Sequence, residues 1–225
     1  MCSTRPNAAP SHTTRHTPLD RDVIDNSSPL VLGSGSPRRR QILETLGIPV
    51  RVFPGEADET IRAGETPDRY LARVVLEKLY SVARLFDGQP RGGLLVADTI
   101  VLLDDQILGK PTDETDAQRM LRSLSGRRHE VWTRFALAAP HALTEPVHEQ
   151  TVRTGVHFRA LTDGEVERYA ASGEGLDKAG AYAVQGIGSF AVEKVDGSYP
   201  NVVGLPACEV VSALLRTGLL SAFPP

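Results

Sequence analysis

Strand-length apolar runs alternate with helix-period stretches, glycine and proline punctuate them at regular intervals, and no segment repeats. Together these features predict a layered α/β domain. The 225 residues suffice for one full-sized domain, and 40% hydrophobic with 24% charged residues is an ordinary globular mixture able to bury a core. A net charge of −3 offers no electrostatic footprint for nucleic acid or an anionic membrane. No run approaches the ~18 apolar residues of a membrane span, and the N-terminus lacks a signal-peptide apolar region, so a cytoplasmic protein is expected. Cys2 and Cys208 lie at opposite ends of the chain. They support neither a disulfide framework nor a cysteine zinc site, and Cys208 is expected to pack as a small apolar residue.

Residues 1–28 are rich in Thr, Ser, Pro and charge without apolar period, and read as a disordered N-terminal tail. From Pro29 the pattern becomes regular. Leu30-Val31-Leu32 reads as a buried strand, followed by a glycine turn and a helix with Ile42, Leu43 and Leu46 on one face. Ser36 fits its N-cap, Pro37 its first turn and Gly47 its end. Ile48, Val50 and Val52 alternate as in a half-buried strand. A second helix opens at Thr66-Pro67, uses Leu71, Val74, Val75, Val82 and Phe86, and stops at Asp87-Gly88. Leu94 to Leu103 is a strand, and Glu114 to Leu124 a helix burying Ala117, Met120, Leu121 and Leu124 before Gly126.

Further strands are expected at Val131–Ala138 and Val152–Leu161. Thr162 and Glu165 form a capping box for a helix ending at Gly173. Gly173 to Gly188 contains five glycines and reads as a loop that approaches something closely. Pro206 starts a last helix using Val210, Val211, Leu214 and Leu215, closed by Gly218.

Chemistry concentrates in a few places. In Ser34-Gly35-Ser36-Pro37-Arg38-Arg39-Arg40, glycine permits close approach, a helix N-terminus offers N–H groups, and guanidinium groups suit phosphate. The segment reads either as a polyphosphate cradle or as a capped helix with a solvated basic face; it lacks the Gly-Lys-Ser/Thr of a P-loop. Asp98, inside an apolar strand, either sits at a cleft or has a cationic or metal partner. Lys110, on the loop after that strand, could return to the same mouth. Lys78 lies on the apolar face of its helix, where it either snorkels or meets phosphate. Glu59 is a metal-ligand candidate or part of a solvated acidic loop. His129 could be catalytic or begin a strand. No nucleophile elbow and no HExxH helix is present, so the cations, the scattered carboxylates and the anion site suggest phosphate-ester chemistry with a divalent metal.

The same residues carry a resemblance to the Maf family of nucleoside triphosphate pyrophosphatases. The matching segments are Leu32 to Arg39, Glu77-Lys78, Ala97 to Val101, Leu108 to Pro111, Leu124 to Gly126 with His129 to Val131, Asp177 to Tyr182 with Gln185-Gly186, and Val202 to Pro206. They run in family order, and seven ordered motifs are far more specific than any one. The resemblance implies a single α/β domain over residues 29–220, with a C-terminal tail at 221–225, a twisted mixed sheet flanked by helices, a deep nucleotide-binding cleft and pairing as a homodimer. It further implies hydrolysis of a nucleoside triphosphate to the monophosphate and pyrophosphate with magnesium or manganese. By position, Asp98 would accept the proton of the attacking water, and Ser34, Arg39, Glu59, Lys78 and Lys110 would line the triphosphate and metal site, with Glu59 and Asp98 toward the metal.

Arg38, Thr99 and Gln185 resemble the branch directed at dTTP and UTP rather than 7-methylguanosine triphosphate. Gly33 stands where the family commonly has Ala, and Leu79 where Ala is usual; the latter could alter helix packing. Alternatives are another modified nucleotide, a nucleotide-binding regulator of septum formation, and a phosphate-binding module without turnover.

Overall fold

A computed structural model describes residues 24–85 and 92–225. Seven strands form one mixed sheet: β1 (Leu30–Leu32), β2 (Val50–Val52), β3 (Leu94–Leu103), β4 (Gln106–Leu108), β5 (Arg128–Ala138), β6 (Pro146–Phe158) and β7 (Val192–Asp196). The order is β2-β1-β3-β5-β6-β7, with β4 paired to β3. β1 runs parallel to β2 and β3, whereas the β3–β5, β5–β6, β6–β7 and β3–β4 pairings are antiparallel. Six α-helices accompany it among the described residues: α1 (Pro37–Thr45), α2 (Pro67–Leu85), α3 (Glu114–Leu124), α4 (Asp163–Ala171), α5 (Tyr199–Val203) and α6 (Ala207–Thr217).

The alternation of β3 divides the core. Leu94, Val96, Ile100 and Leu102 face α2, joining Tyr70, Leu71, Val74, Val75, Leu79 and Val82. Leu95 and Ala97 face the opposite layer with Leu43 of α1 and Val210 and Leu214 of α6, and Val101 and Leu103 meet Leu121 and Leu124 of α3. A strand buried on both faces must be apolar at nearly every position, which is why β3 reads as a continuous run.

The pairing of β3 also makes an opening. On one edge β5 accompanies it from Leu94 to Leu102; on the other, β1 pairs with Leu94 and Leu95 and β4 with Val101 to Leu103. Between those two partners no strand covers that edge from Val96 to Ile100 among the described residues. Asp98 lies in the gap.

Several expectations are corrected. The alternation at Ile48 to Val52 predicts a half-buried strand, but β2 is a three-residue edge strand with Val52 exposed, because among the described residues its only strand neighbour is β1. The strand expected to run from Val152 to Leu161 starts at Pro146 and ends at Phe158, since β5 supplies partners as far as Pro146. β4, β7 and α5 had no sequence expectation. Leu215 is exposed and Ala213 takes the inward position on α6. Cys208 is exposed on the same helix rather than packed.

The tail expectation fails at its inner end. Ile24 is buried beside Leu219 and Leu220, its N–H donating to the Leu219 carbonyl at 2.9 Å, and Asp25 caps the turn through Ser27 and Ser28. The rest of the tail, Cys2, and the Phe86 to Gly88 stop lie outside the described residues. No described helix is long and apolar enough to cross a membrane.

Candidate active site

The gap beside β3 opens into a cleft of about 800 Å³, lined by the turn and first residues of α1, the Glu59 loop, α2, β3, the Lys110 loop and the glycine-rich loop. That volume lies within the range of small-molecule sites. All nine residues singled out for the site line it: Ser34, Arg38, Arg39, Glu59, Lys78, Asp98, Thr99, Lys110 and Gln185.

Lys78 does not snorkel to solvent. Its helix face packs on β3, so a side chain at this position points at the sheet, and it meets the one carboxylate there. Lys78 Nζ donates to Asp98 Oδ1 at 2.7 Å and to Glu59 Oε1 at 2.8 Å. Both Lys78 and Asp98 are more than nine-tenths buried. Arg134, opposite Asp98 in the β3–β5 register, is turned to Glu149 at 2.7 Å, which leaves Lys78 as the cation on Asp98. A buried carboxylate without such a partner would be costly, so the lysine is the condition for Asp98 standing in an apolar strand.

Glu59 faces the same ammonium from its loop, with Lys110 3.6 Å behind it. Burial pushes its pKa up, but the hydrogen bond and charge of Lys78, with Lys110, bring it below the ordinary glutamate value. Tyr70 anchors the loop, its hydroxyl donating to the Glu59 carbonyl at 3.2 Å. Burial, followed by the charges of Asp98 and Glu59, raises the phenol pKa, so the hydroxyl keeps its proton.

Arg39 occupies the opposite wall. Its Nε donates to Gly204 O at 2.8 Å, Nη1 to Ser34 Oγ at 2.9 Å and Ala97 O at 2.8 Å, and Nη2 to Thr99 Oγ1 at 3.0 Å. Four of its five N–H groups are thereby satisfied by neutral oxygens. It caps the bare carbonyl of Ala97 on the β3 edge and ties β1, β3 and α5 together. Burial lowers its pKa and the nearby Asp98 charge opposes this; a guanidinium stays protonated regardless. Arg39 is thus a fixed positive charge with no carboxylate bound to it among the described residues.

Thr99 likewise spends its hydroxyl inward, on Arg39, on Thr133 at 2.9 Å and on Gly204 O at 3.3 Å. Gly204, with φ of 129°, presents that carbonyl at a backbone conformation suited to glycine. Asn201, which fixes α5 by donating to Val131 O at 3.0 Å, was not singled out beforehand, because α5 lacks an apolar period; Gly204 entered only within the matching segment Val202 to Pro206.

At the head of α1, Ser36 is the N-cap residue and Pro37 opens the first turn, as expected. Ser36 has the extended backbone of an N-cap but its side chain makes no cap hydrogen bond, and the turn opens into the cleft. Ser34 Oγ accepts from Arg39 and, at 3.3 Å, from the Ser36 N–H, so its own hydroxyl proton remains to donate. Arg38 reaches across to Asp177 of the glycine-rich loop at 3.7 Å. His129 is not part of the cleft: it is buried in β5 and bonded to Tyr182 at 2.9 Å.

The Glu59 and Asp98 carboxylates converge on one ammonium from two sides, so they are placed where a single cation bridges them. Hard oxygen donors of this kind fit a small divalent cation that takes one or two carboxylates together with substrate phosphates. No cluster of three or more potential metal-ligating side chains occurs among the described residues.

The profile described as "Maf-like protein" matches residues 29–217. A dTTP/UTP pyrophosphatase of Geotalea uraniireducens is 46% identical over 88% of this chain and 100% of its own length. One of Myxococcus xanthus is 50% identical over 84% of this chain and 93% of its own, and one of a Geobacter species 47% identical over 88% and 99%.

Proposed function

The chain belongs to the Maf-like protein family, and on that premise we propose that it is a nucleoside triphosphate pyrophosphatase that hydrolyses dTTP and UTP to the monophosphate and pyrophosphate. The observation that carries this reading is the meeting of Asp98, Lys78 and Glu59 at the gap in the sheet, with Ser34 and Arg39 on the facing wall.

In the proposed reaction a water oxygen bonds to the α-phosphorus, the bond from that phosphorus to the α–β bridging oxygen breaks, and pyrophosphate leaves. The water proton passes to the Asp98 carboxylate. Lys78 engages Oδ1 of Asp98, and no hydrogen bond falls on Oδ2 among the described residues. Lys78, Lys110 and the fixed charge of Arg39 oppose the negative charge that builds on the departing pyrophosphate. A magnesium or manganese ion held by Asp98 and Glu59 would add Lewis-acid polarisation of the phosphates.

Arg38 and Gln185 belong to the base end of the cleft in this reading. A uracil or thymine edge presents carbonyl, N–H and carbonyl, part of which a glutamine amide can pair. A cytoplasmic location and a homodimer complete the proposal, the latter checked by light scattering after size exclusion.

Incubation with dTTP, UTP, ATP, GTP and 7-methylguanosine triphosphate in equimolar competition, quantifying monophosphate and pyrophosphate, tests the assignment. The expected result is a kcat/KM for dTTP and UTP about 10–200-fold above the purines, the discrimination available from pocket size and one hydrogen bond. Preference for 7-methylguanosine triphosphate, or none, would overturn the pyrimidine assignment. Absence of pyrophosphate with every substrate would overturn the enzyme assignment.

A further inference from the structure

Glu174 stands at the start of the glycine-rich loop and its carboxylate accepts three hydrogen bonds from the loop and α4. Oε1 accepts the Ile187 N–H at 2.9 Å; Oε2 accepts the Gly188 N–H at 2.7 Å and the Tyr169 hydroxyl at 2.9 Å. Tyr169 Oη in turn accepts the Ala183 N–H at 3.1 Å. The segment between Ala183 and Gly188 therefore hangs at both ends from one Tyr169–Glu174 pair, and Gln185 is its crest. Gln185 is exposed at the cleft, and its amide has no hydrogen-bond partner among the described residues.

The glycines of the loop follow from this clamp. Gly186 has φ of 90°, and a Cβ there would lie 2.3 Å from Glu174 Oε1. A Cβ on Gly188 would lie 2.4 Å from Tyr169 Oη and 2.5 Å from Ala183 O. Bare backbone at both positions lets the amides reach the carboxylate. Burial pushes the Glu174 pKa up, but the two N–H donors and the tyrosine hydroxyl outweigh it, so the group is an anion at neutral pH and accepts from all three.

We propose that Glu174 is a positioning residue for nucleobase selection: it fixes the turn from Gly186 to Gly188 and thereby sets where Gln185 meets the base. This rests on the reading of Gln185 as a base contact given above. Loop closure by a single carboxylate costs less ordering on substrate binding than a free loop would, so the benefit appears in KM.

The test compares Glu174→Gln, Gln185→Ala and the double variant, measuring kcat and KM for dTTP and GTP alongside Tm and amide exchange at Ile187 and Gly188. A glutamine places an NH2 donor against one of three donors, so the clamp is broken while bulk is kept. Expected for Glu174→Gln are faster exchange at the two amides, and a dTTP-to-GTP ratio of kcat/KM reduced about tenfold through the KM for dTTP. The double variant should discriminate no worse than Gln185→Ala, because both act on one contact. Should Glu174→Gln fail to fold, Tyr169→Phe removes one donor and keeps the ring packed on Phe190, and a smaller fall in the same ratio is expected. If the ratio holds in the folded clamp variant while Gln185→Ala collapses it, or if both substrates lose equally, the positioning role is overturned and the base contact stands. If Gln185→Ala leaves the ratio unchanged, the base contact itself fails and takes the inference with it.

Discussion

At the scale of single residues, the site is a charge arrangement that its neighbours make affordable. Asp98 and Lys78 are each too buried to stand alone, and each is the other's main compensation, with Glu59 taking a second proton of the ammonium. Replacing Asp98 by Asn should preserve the fold, because an amide oxygen can still accept from Lys78, but it removes the proton acceptor. The expected fall in kcat is about 100–10,000-fold with little change in KM. Retention of more than about a tenth of wild-type turnover would move the base elsewhere. Lys78→Ala is expected to be worse for the protein than for the reaction alone, since it leaves a buried carboxylate unpaired; breaking such a pair costs about 3–5 kcal/mol. Lys78→Met, which keeps the packing, should lose turnover as well. Full activity in a folded Lys78→Met protein would sink its role at the phosphates.

At the scale of elements, most of what positions the site was legible because burial leaves a periodic trace. β3 and α3 have the bounds that alternation and helical spacing give, and Lys78 could be placed on an inward face from its distance to Val74 and Val75. What was illegible depends on pairing across the chain. The gap between β1 and β4 arises from which strands meet β3 and where they stop, and nothing in the run from Leu94 to Leu103 records that. β7 is short, with Glu193 and Lys194 exposed, so it lacks an apolar signature. Glu174 had no sequence expectation, because the backbone amides it accepts from lie 13 and 14 residues further along the chain. Gly33 shows the coupling of elements directly: a Cβ there would meet Val96 Cγ1 at 2.6 Å and Val82 Cγ2 at 3.0 Å, in the cluster that also holds the fully buried Leu79. Where the family commonly has two alanines, this chain has a smaller and a larger residue in one packed region. Gly33→Ala should therefore destabilise by about 1–3 kcal/mol through overpacking. Pairing it with Leu79→Ala should recover part of that loss if the cluster can relax into the vacated volume. Chemical denaturation of the single and double variants measures both, and strict additivity would show that the two positions do not share space.

At the scale of the whole molecule, the wall of the cleft and the stability of the domain meet in one buried histidine. His129 sits in β5 with its ring edge-on to Phe158 and Tyr182, in the cluster that joins α3, α4 and the glycine-rich loop. Its Nε2 pairs with the Tyr182 hydroxyl, while Nδ1 has no partner among the described residues. Burial first, then electrostatic interaction with His157 and Arg128, pushes its pKa down from 6.5 to about 4. Between those two pH values the unfolded chain binds a proton that the folded chain refuses, so stability rises with pH across the window and is lost as pH falls from about 6.5 toward 4. Where the group is fully protonated in one state and not the other, the slope is about 1.4 kcal/mol per pH unit. Carboxylates held low in the native state, among them Glu165 at about 2, add their own losses only at lower pH. Comparing denaturation at pH 7 and pH 5 for the wild type and for His129→Gln, which keeps a group able to bond Tyr182, isolates the histidine. The variant should lose distinctly less stability over that interval. Because Tyr182 also lines the cleft, the wild-type KM for nucleotide should rise over the same interval and the variant's should rise less. Equal slopes in the two proteins would mean that protonation of His129 is not what couples pH to the fold.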